Sequence, residues 1–254
     1  MTDTQSPPRI RSVIKAVNLL TWLTCEPEPR TAKEAAIACG LPLPTAYHLL
    51  DTLVAEGMLS KDARRCYHSG PRLGLIVDAY SRRSAQPEHL TAPLRRLAEI
   101  TGETTYLSGF RDGDVTVLAS VEGNQAVRVS GLHVGFRGFA HARASGKVLL
   151  ALAPPDLLER YLETAPRASR TPNTIVEIDA LRAELREVAS VGYAFDRDEW
   201  VEGVSGVSAP VIEHDVAIAA YTVSVPTERF DARRDELVAA VLEAARAAVK
   251  RELI

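Results

Sequence analysis

No apolar run in the chain approaches the roughly 20 residues that span a bilayer, so no transmembrane helix is expected. The N-terminal stretch MTDTQSPPRIRS is polar and has no apolar h-region, so no signal peptide is expected. Only three cysteines occur, Cys25, Cys39 and Cys66, odd in number and far apart. That excludes a disulfide framework and fits a reduced, cytoplasmic protein. No Cys-x-x-Cys pair is present to support a structural zinc site. Internal repeats and low-complexity tracts are also absent. What remains is an ordinary globular composition: 254 residues, 46% apolar and 25% charged, enough for one large domain or two modest ones. Intrinsic disorder is excluded as the dominant state.

The net charge of −3 conceals an asymmetry. Residues 1–86 carry 11 Lys and Arg against 8 Asp and Glu, whereas residues 87–254 carry 19 against 25. A basic front and an acidic back suggest two domains with different partners.

Residues 1–10 read as a disordered arm with Pro7 and Pro8. From Arg11 the apolar positions Val13, Ile14, Val17, Leu20 and Leu23 recur at helical spacing until Glu26-Pro27-Glu28-Pro29. Thr31 with Glu34 forms a capping box ahead of a short helix that ends at Gly40. Pro42 suits the first turn of a third helix, which runs to Glu56 and stops at Gly57. The tight, glycine-containing joint between the second and third helices is helix-turn-helix spacing. Short strand candidates, Met58–Ser60 and Cys66–His68, flank the basic tip Lys61-Asp62-Ala63-Arg64-Arg65. Residues 11–70 therefore predict a winged helix-turn-helix. On a helical wheel of the third helix, Ala46, Leu49, Leu50, Leu53 and Val54 share one side. Thr45, His48 and Thr52 share the other, a polar face able to enter a major groove.

Residues 71–86 predict a linker helix. Residues 87–254 predict an α+β domain of antiparallel strands with flanking helices. Helices are expected near 90–101 and 233–251, with two or three over about 145–163 and 178–190. Strands are expected at Thr104–Phe110, Val115–Val121, Ala126–Ser130, Tyr193–Phe195, Val207–Ile212 and Val216–Val225. Asp112-Gly113 is a hairpin turn signal.

Signatures of catalysis fail one by one. Ala144-Ser145-Gly146-Lys147 is not a Walker A loop, because the first glycine position is His141 and Val148 follows the lysine. A Ser-x-x-Lys pair from Ser145 would need lysine at Val148. No Gly-x-Ser-x-Gly elbow and no His-x-x-x-His spacing occurs. What survives is a helix start at Ser145, suited to an anion or to ordinary capping. Asp196-Arg197-Asp198-Glu199 reads as a solvated turn, with a general acid–base pair or a metal site as the other options. No cofactor or metal is expected.

The two halves together resemble the IclR family of bacterial transcriptional regulators. The front motif is Leu41-Pro42-Leu43-Pro44-Thr45-Ala46-Tyr47-His48-Leu49-Leu50-Asp51-Thr52-Leu53, followed by Glu56-Gly57, Tyr67 and Gly70-Pro71-Arg72-Leu73-Gly74. The back motifs are Gly102-Glu103-Thr104, Ala144-Ser145-Gly146-Lys147-Val148-Leu149-Leu150-Ala151 and Thr171 with Thr174-Ile175. Gly192-Tyr193-Ala194-Phe195-Asp196, Glu199, Gly203-Val204 and Ala209-Pro210-Val211 complete the set.

The resemblance implies a winged-helix DNA-binding domain, a linker helix and a GAF-like effector-binding domain. It implies a homodimer or a tetramer of paired dimers. It implies a small organic acid effector held by Ala144, Ser145, Asp196, Gly206, Thr222 and Ser224. On DNA, Arg9, Arg11, Lys15, Thr31 and Lys33 would contact the backbone or minor groove. Thr45, Tyr47 and His48 would face base edges of a pseudo-palindromic operator, and Arg64 and Arg65 would set the wing on phosphate. The chain departs from the family at His48, where arginine is common. It also departs at Ser69, where leucine is usual, and at Gly206, where some relatives carry cysteine. The other readings are a metabolite-binding protein or enzyme whose front helices only oligomerise, and an architectural DNA binder. The acidic back half speaks against the last.

Overall fold

A computed structural model of the chain describes residues 10–84, 86–125 and 132–249. Residues 1–9 of the expected arm and the expected strand Ala126–Ser130 lie outside the described residues. The chain divides into two compact units, 1–85 and 86–254.

The first unit opens with α1 (Arg11–Cys25), α2 (Ala32–Ala38) and α3 (Leu43–Ala55). Glu26 stands before Pro27 with an extended backbone, which the proline ring enforces, and so α1 ends there. The capping box forms as expected: the Thr31 N–H donates to Glu34 Oε2 at 2.8 Å, and the Glu34 N–H donates back to Thr31 Oγ1 at 3.3 Å. Leu19 and Leu23 of α1, Ala35 of α2, and Ala46 and Leu50 of α3 close the core with Leu59 and Tyr67. The apolar stripe expected to bury α1 is different in part. Val13, Ile14 and Val17 are exposed. Periodicity identifies an apolar face but not whether its own chain covers it.

The hairpin is β2 (Leu59–Lys61) and β3 (Cys66–Ser69), and a two-residue β1 (Arg30–Thr31) adds to β3, giving the order β1-β3-β2. Asp62 Oδ1 accepts from the N–H groups of Arg64 and Cys66, which folds the tip. Helix α4 (Pro71–Ser84) follows.

The second unit contains α5 (Glu88–Thr101), β4 (Thr104–Arg111), β5 (Asp114–Val121), α6 (Ala144–Ala151), α7 (Pro155–Thr164) and α8 (Ile178–Val191). It continues with β6 (Ala194–Arg197), β7 (Val204–Glu213), β8 (Val216–Pro226) and α9 (Thr227–Ala248). Five antiparallel strands form one sheet in the order β5-β4-β8-β7-β6. Asp112 and Gly113 both take positive φ between β4 and β5, the requirement of a two-residue hairpin turn. Of the two or three helices expected over 145–163 and 178–190 there are three, because Pro154-Pro155 separates α6 from α7 ahead of α8. Helix α9 starts six residues earlier than expected, at Thr227.

Strand alternation sorts the sheet into two faces. Val207, Ala209 and Val211 of β7 and Tyr221, Val223 and Val225 of β8 join one core with Leu94 and Leu97 of α5 and Leu237 and Val241 of α9. Val115 and Ala220, on the other face, join Val148 and Leu149 of α6 and Leu181 and Leu185 of α8. The out-of-phase residues Gly206, Ser208, Thr222 and Ser224 are thereby left for the side where α6 begins.

Candidate functional site

In the first unit, polar groups lie on the outside. Tyr47, His48 and Thr52 of α3 are exposed, and Thr45 is half-buried. The fully buried Ala46 and Leu50 fix the helix's rotation, so the polar face has one orientation. Thr52 Oγ1 donates to the His48 carbonyl oxygen at 2.8 Å, which leaves the His48 ring the freer group. Lys33, Arg11 and Lys15 are exposed, as are Arg64 and Arg65 at the hairpin tip. Thr31 is committed elsewhere, since its hydroxyl donates to Glu34 Oε2 at 2.7 Å within the cap. Arg9 lies outside the described residues. Two other cations are taken: Arg30 by Glu26, and Arg72 by Glu56 at 2.7 Å.

In the second unit, the polar groups lie inside. Ala144, Ser145, Asp196, Gly206, Thr222 and Ser224 all line one cavity with about 510 Å³ of empty space, part of it continuous with solvent. The register explains why residues this far apart in sequence meet. Gly206 pairs with Ser224, Asp196 with Gly206, and Tyr106 with Thr222, so β6, β7, β8 and β4 each contribute to the same patch. The start of α6 covers it. Gly146 lets the turn before α6 fold tightly against the helix, since a Cβ there would stand 2.1 Å from the Ala140 carbonyl oxygen. Gly206 is less tight, with an added Cβ 3.0 Å from the Val223 carbonyl oxygen.

Sequence reading missed several wall residues: Tyr106, Arg143, Trp200, Val201 and Val204. Tyr106 and Arg143 carried a signal. Tyr106 sits in strand phase opposite Thr222, and Arg143 directly precedes the helix start already singled out. Trp200 did not, because its position depends on stacking with Phe136 and Phe139, both at 5.2 Å between ring centroids.

The segment Asp196–Glu199 differs from the expected surface turn. It is not a solvated turn, since Asp196 and Glu199 are buried. Lys147 is fully buried as well. Its Nζ donates to Glu199 at 2.7 Å and to Glu184 at 2.9 Å, a pairing from α6 to α8 and the turn after β6. Asp196 Oδ1 accepts from the N–H groups of Glu199 at 2.8 Å and Trp200 at 3.3 Å. Burial pushes the Asp196 carboxyl up to about 7, and those N–H donors pull it back only partly. Burial likewise pushes the Tyr106 phenol up to about 12. Thr174 Oγ1 donates to the Glu199 carbonyl oxygen at 2.7 Å and pins the turn.

Chemically, the first surface offers exposed cations and short polar groups on a rigid helix. The cavity offers hydroxyls, a buried carboxyl, an aromatic wall and a helix start. Among the described residues no His, Cys, Asp and Glu group could hold a metal ion. No helix there is long and apolar enough to cross a membrane.

A family model for the IclR helix-turn-helix domain matches residues 12–63, and one for the bacterial transcriptional regulator IclR C-terminal domain matches residues 87–250. The HTH-type transcriptional regulator BhcR of Paracoccus denitrificans is 34% identical over 93% of this chain and 85% of its own. The HTH-type transcriptional regulator Rv1719 of Mycobacterium tuberculosis is 33% identical over 92% of this chain and 89% of its own. An IclR homologue from Microbacterium hydrocarbonoxydans, solved in complex with 4-hydroxybenzoate, shares the fold. Its TM-score is 0.69 at 24% identity, over 93% of this chain and 97% of that one. With its winged front unit and sheet-backed cavity, the chain belongs to the IclR family of bacterial transcriptional regulators.

Proposed function

We propose that the chain is an effector-responsive regulator whose second unit binds a small organic acid and thereby changes the affinity of its first unit for operator DNA. The observation that carries this reading is the convergence of Ala144, Ser145, Asp196, Gly206, Thr222 and Ser224 on one cavity wall. The bound 4-hydroxybenzoate in a protein of the same fold supports an organic acid as ligand. On DNA, Thr45, Tyr47 and His48 read base edges. Arg9, Arg11, Lys15, Lys33, Arg64 and Arg65 hold phosphates, while the Thr31 hydroxyl stays engaged within its own cap. Histidine offers one donor or acceptor where arginine offers a bidentate pair, so the operator differs at that base from one read by arginine.

The active species is a homodimer on a pseudo-palindromic operator, or a tetramer of two such dimers. Exposed apolar side chains support this: Val13, Ile14 and Val17 on α1, and Leu75, Ile76, Val77 and Tyr80 on α4. An acid alters DNA affinity only as far as it prefers one arrangement of the protein over the other.

The test is fluorescence anisotropy of labelled upstream promoter DNA against a scrambled duplex, at two salt concentrations, with and without a panel of small aliphatic and aromatic acids. Selective binding that one acid shifts is the expected result. Selective binding that no acid shifts removes the effector half of the reading. Equal, weak binding to both duplexes removes the DNA half.

A further inference from the structure

Arg143 precedes α6 and lines the cavity, yet only 2% of its surface is exposed. Its Nη2 donates to the Val115 carbonyl oxygen at 2.8 Å. Its Nε and Nη1 are buried and have no hydrogen-bond partner. Among the described residues no carboxylate is in salt-bridge contact with it; Asp114 and Asp196 favour its charge only from further off, and its Cζ lies 5.3 Å from the centroid of the Phe136 ring. Residues 126–131, AVRVSG, contain no acid to supply one. Burial lowers its pKa to about 10, so the guanidinium is still charged at neutral pH. A buried charge with no counter-ion in contact and two donors unspent weakens the fold until something pairs with it. The other buried cation nearby, Lys147, is already matched by Glu199 and Glu184.

We infer that Arg143 is the anion receptor of the cavity and sets the charge of its ligand: one carboxylate, held by the guanidinium at the start of α6, with Asp196 disfavouring a second. Arginine is suited to the task, because its planar fork keeps spare donors for a carboxylate after one is spent on Val115. The uncapped start of α6 adds favourable backbone dipoles on the same side, since Arg143 at the N-cap makes no side-chain cap. Asp196 works in the other direction. The two N–H donors of the turn engage only its Oδ1, so its second oxygen is available to a ligand hydroxyl. A second ligand carboxylate there would meet an acid, and the described lining holds no cation besides Arg143. The ligand class is thus a monocarboxylate, preferably one that also carries a hydroxyl. This inference rests on the effector reading above and deepens it.

The experiment is calorimetry and thermal shift on the full chain in a buffer poor in carboxylates. The probes are 4-hydroxybenzoate and lactate, their amides 4-hydroxybenzamide and lactamide, and the diacids terephthalate and malate. At least one monoacid is expected to bind about tenfold or more tighter than its amide and its diacid, the order of one charge-assisted contact. Arg143→Met should weaken that acid by at least about 30-fold, as truncation of a buried charged partner does. Arg143→Lys, which keeps charge but loses the fork, should fall between and serves if the Met variant does not fold. The ligand-free Met variant should melt no lower than wild type, which a structural arginine would not allow.

Acid binding that survives in Arg143→Met overturns the inference, as does equal binding of acid and amide, tighter diacid binding, or no binding by any of the six probes. If the Met variant still binds an acid and that acid still shifts operator anisotropy, Arg143 is wrong and the regulator reading stands. If the wild type selects its operator and none of these or the wider panel of acids shifts it, the effector reading itself fails.

Discussion

The two units keep their polar chemistry in opposite places. In the first, Tyr47, His48, Lys33, Arg64 and Arg65 stand in water over a core of Leu19, Leu50 and Tyr67. In the second, Arg143, Lys147, Asp196 and Glu199 are buried between a sheet and a helix start. Groups that meet DNA remain hydrated until they bind, so their replacement leaves folding nearly untouched. Groups that meet a small ligand are desolvated in advance, and each must find a partner or weaken the fold. The contrast implies that function and stability separate cleanly in the first unit and are entangled in the second.

Lysine replacements give the largest expected difference. Lys147→Ala leaves Glu199 buried without its cation and should cost about 3–5 kcal/mol, the loss seen when a buried pair is broken from one side. Lys33→Ala should stay within about 0.5 kcal/mol, as surface changes do. Urea melts of the two variants, followed by far-UV circular dichroism, measure both. Equal midpoints would break the contrast.

Asp196 should show the entanglement as a pH effect. Its carboxyl is raised by burial from 3.8 to about 7, so the folded chain binds a proton that the unfolded chain releases. A group raised in this way stabilises fully below its unfolded value, and the contribution is lost as pH rises through the folded one. Wild type should therefore lose up to about 4 kcal/mol between pH 4 and pH 7 from this group alone. Asp196→Asn, which still accepts the Glu199 and Trp200 N–H bonds, should lack that slope and be the more stable protein at pH 8. Denaturant midpoints at pH 5 and pH 8 decide it. An identical pH dependence in the two proteins would mean that Asp196 is ionised throughout.

The same contrast explains which parts of the molecule could be read from sequence. Local rules found local features. Thr31 and Glu34 cap α2, Gly57 ends α3 with positive φ, and Asp112-Gly113 turns the hairpin. Period-two alternation placed β7 and β8 to within a few residues. The six expected cavity residues were named from a family likeness and meet because of strand register, which no single segment reveals. Where a side chain's role depends on a distant partner, local polarity misled. Asp196-Arg197-Asp198-Glu199 looks like a surface turn because it is charged, yet Asp196 and Glu199 are buried, and Lys147, 52 residues before Glu199, pairs with that carboxylate. Strand β1 is two residues long and exists only because β3 passes beside it. Val13, Ile14 and Val17 are apolar at helical spacing, which says nothing of whether their cover comes from this chain or another copy.

Removing the capping box should have a smaller effect. Thr31→Ala frees the Glu34 N–H at the start of α2 and should lower the first unit's stability by about 1 kcal/mol. Hydrogen exchange of α2 and α3 amides reads that loss directly. DNA affinity should follow only through folding, because the Thr31 hydroxyl is engaged within its own chain. A loss of DNA affinity at unchanged exchange would mean that the cap also touches DNA.

The smallest effect on stability belongs to the hairpin tip. Arg64 and Arg65 are exposed, and the tip is folded by Asp62 through backbone N–H groups, so neither arginine's side chain builds the turn. Arg64→Ala with Arg65→Ala should leave the melt within about 0.5 kcal/mol of wild type. It should nonetheless flatten the slope of log affinity against log salt by about 0.9 for each phosphate no longer neutralised, or about 2 for both. The weakening should be the same on operator and scrambled duplex, because phosphate contacts hold the protein without reading sequence. Replacement of His48 should do the reverse: operator preference changes at one base while the salt slope holds. If the arginine pair alters preference and His48 alters only the slope, the assignments of wing and third helix are exchanged. If neither residue set moves the slope, the first unit does not meet DNA through this face.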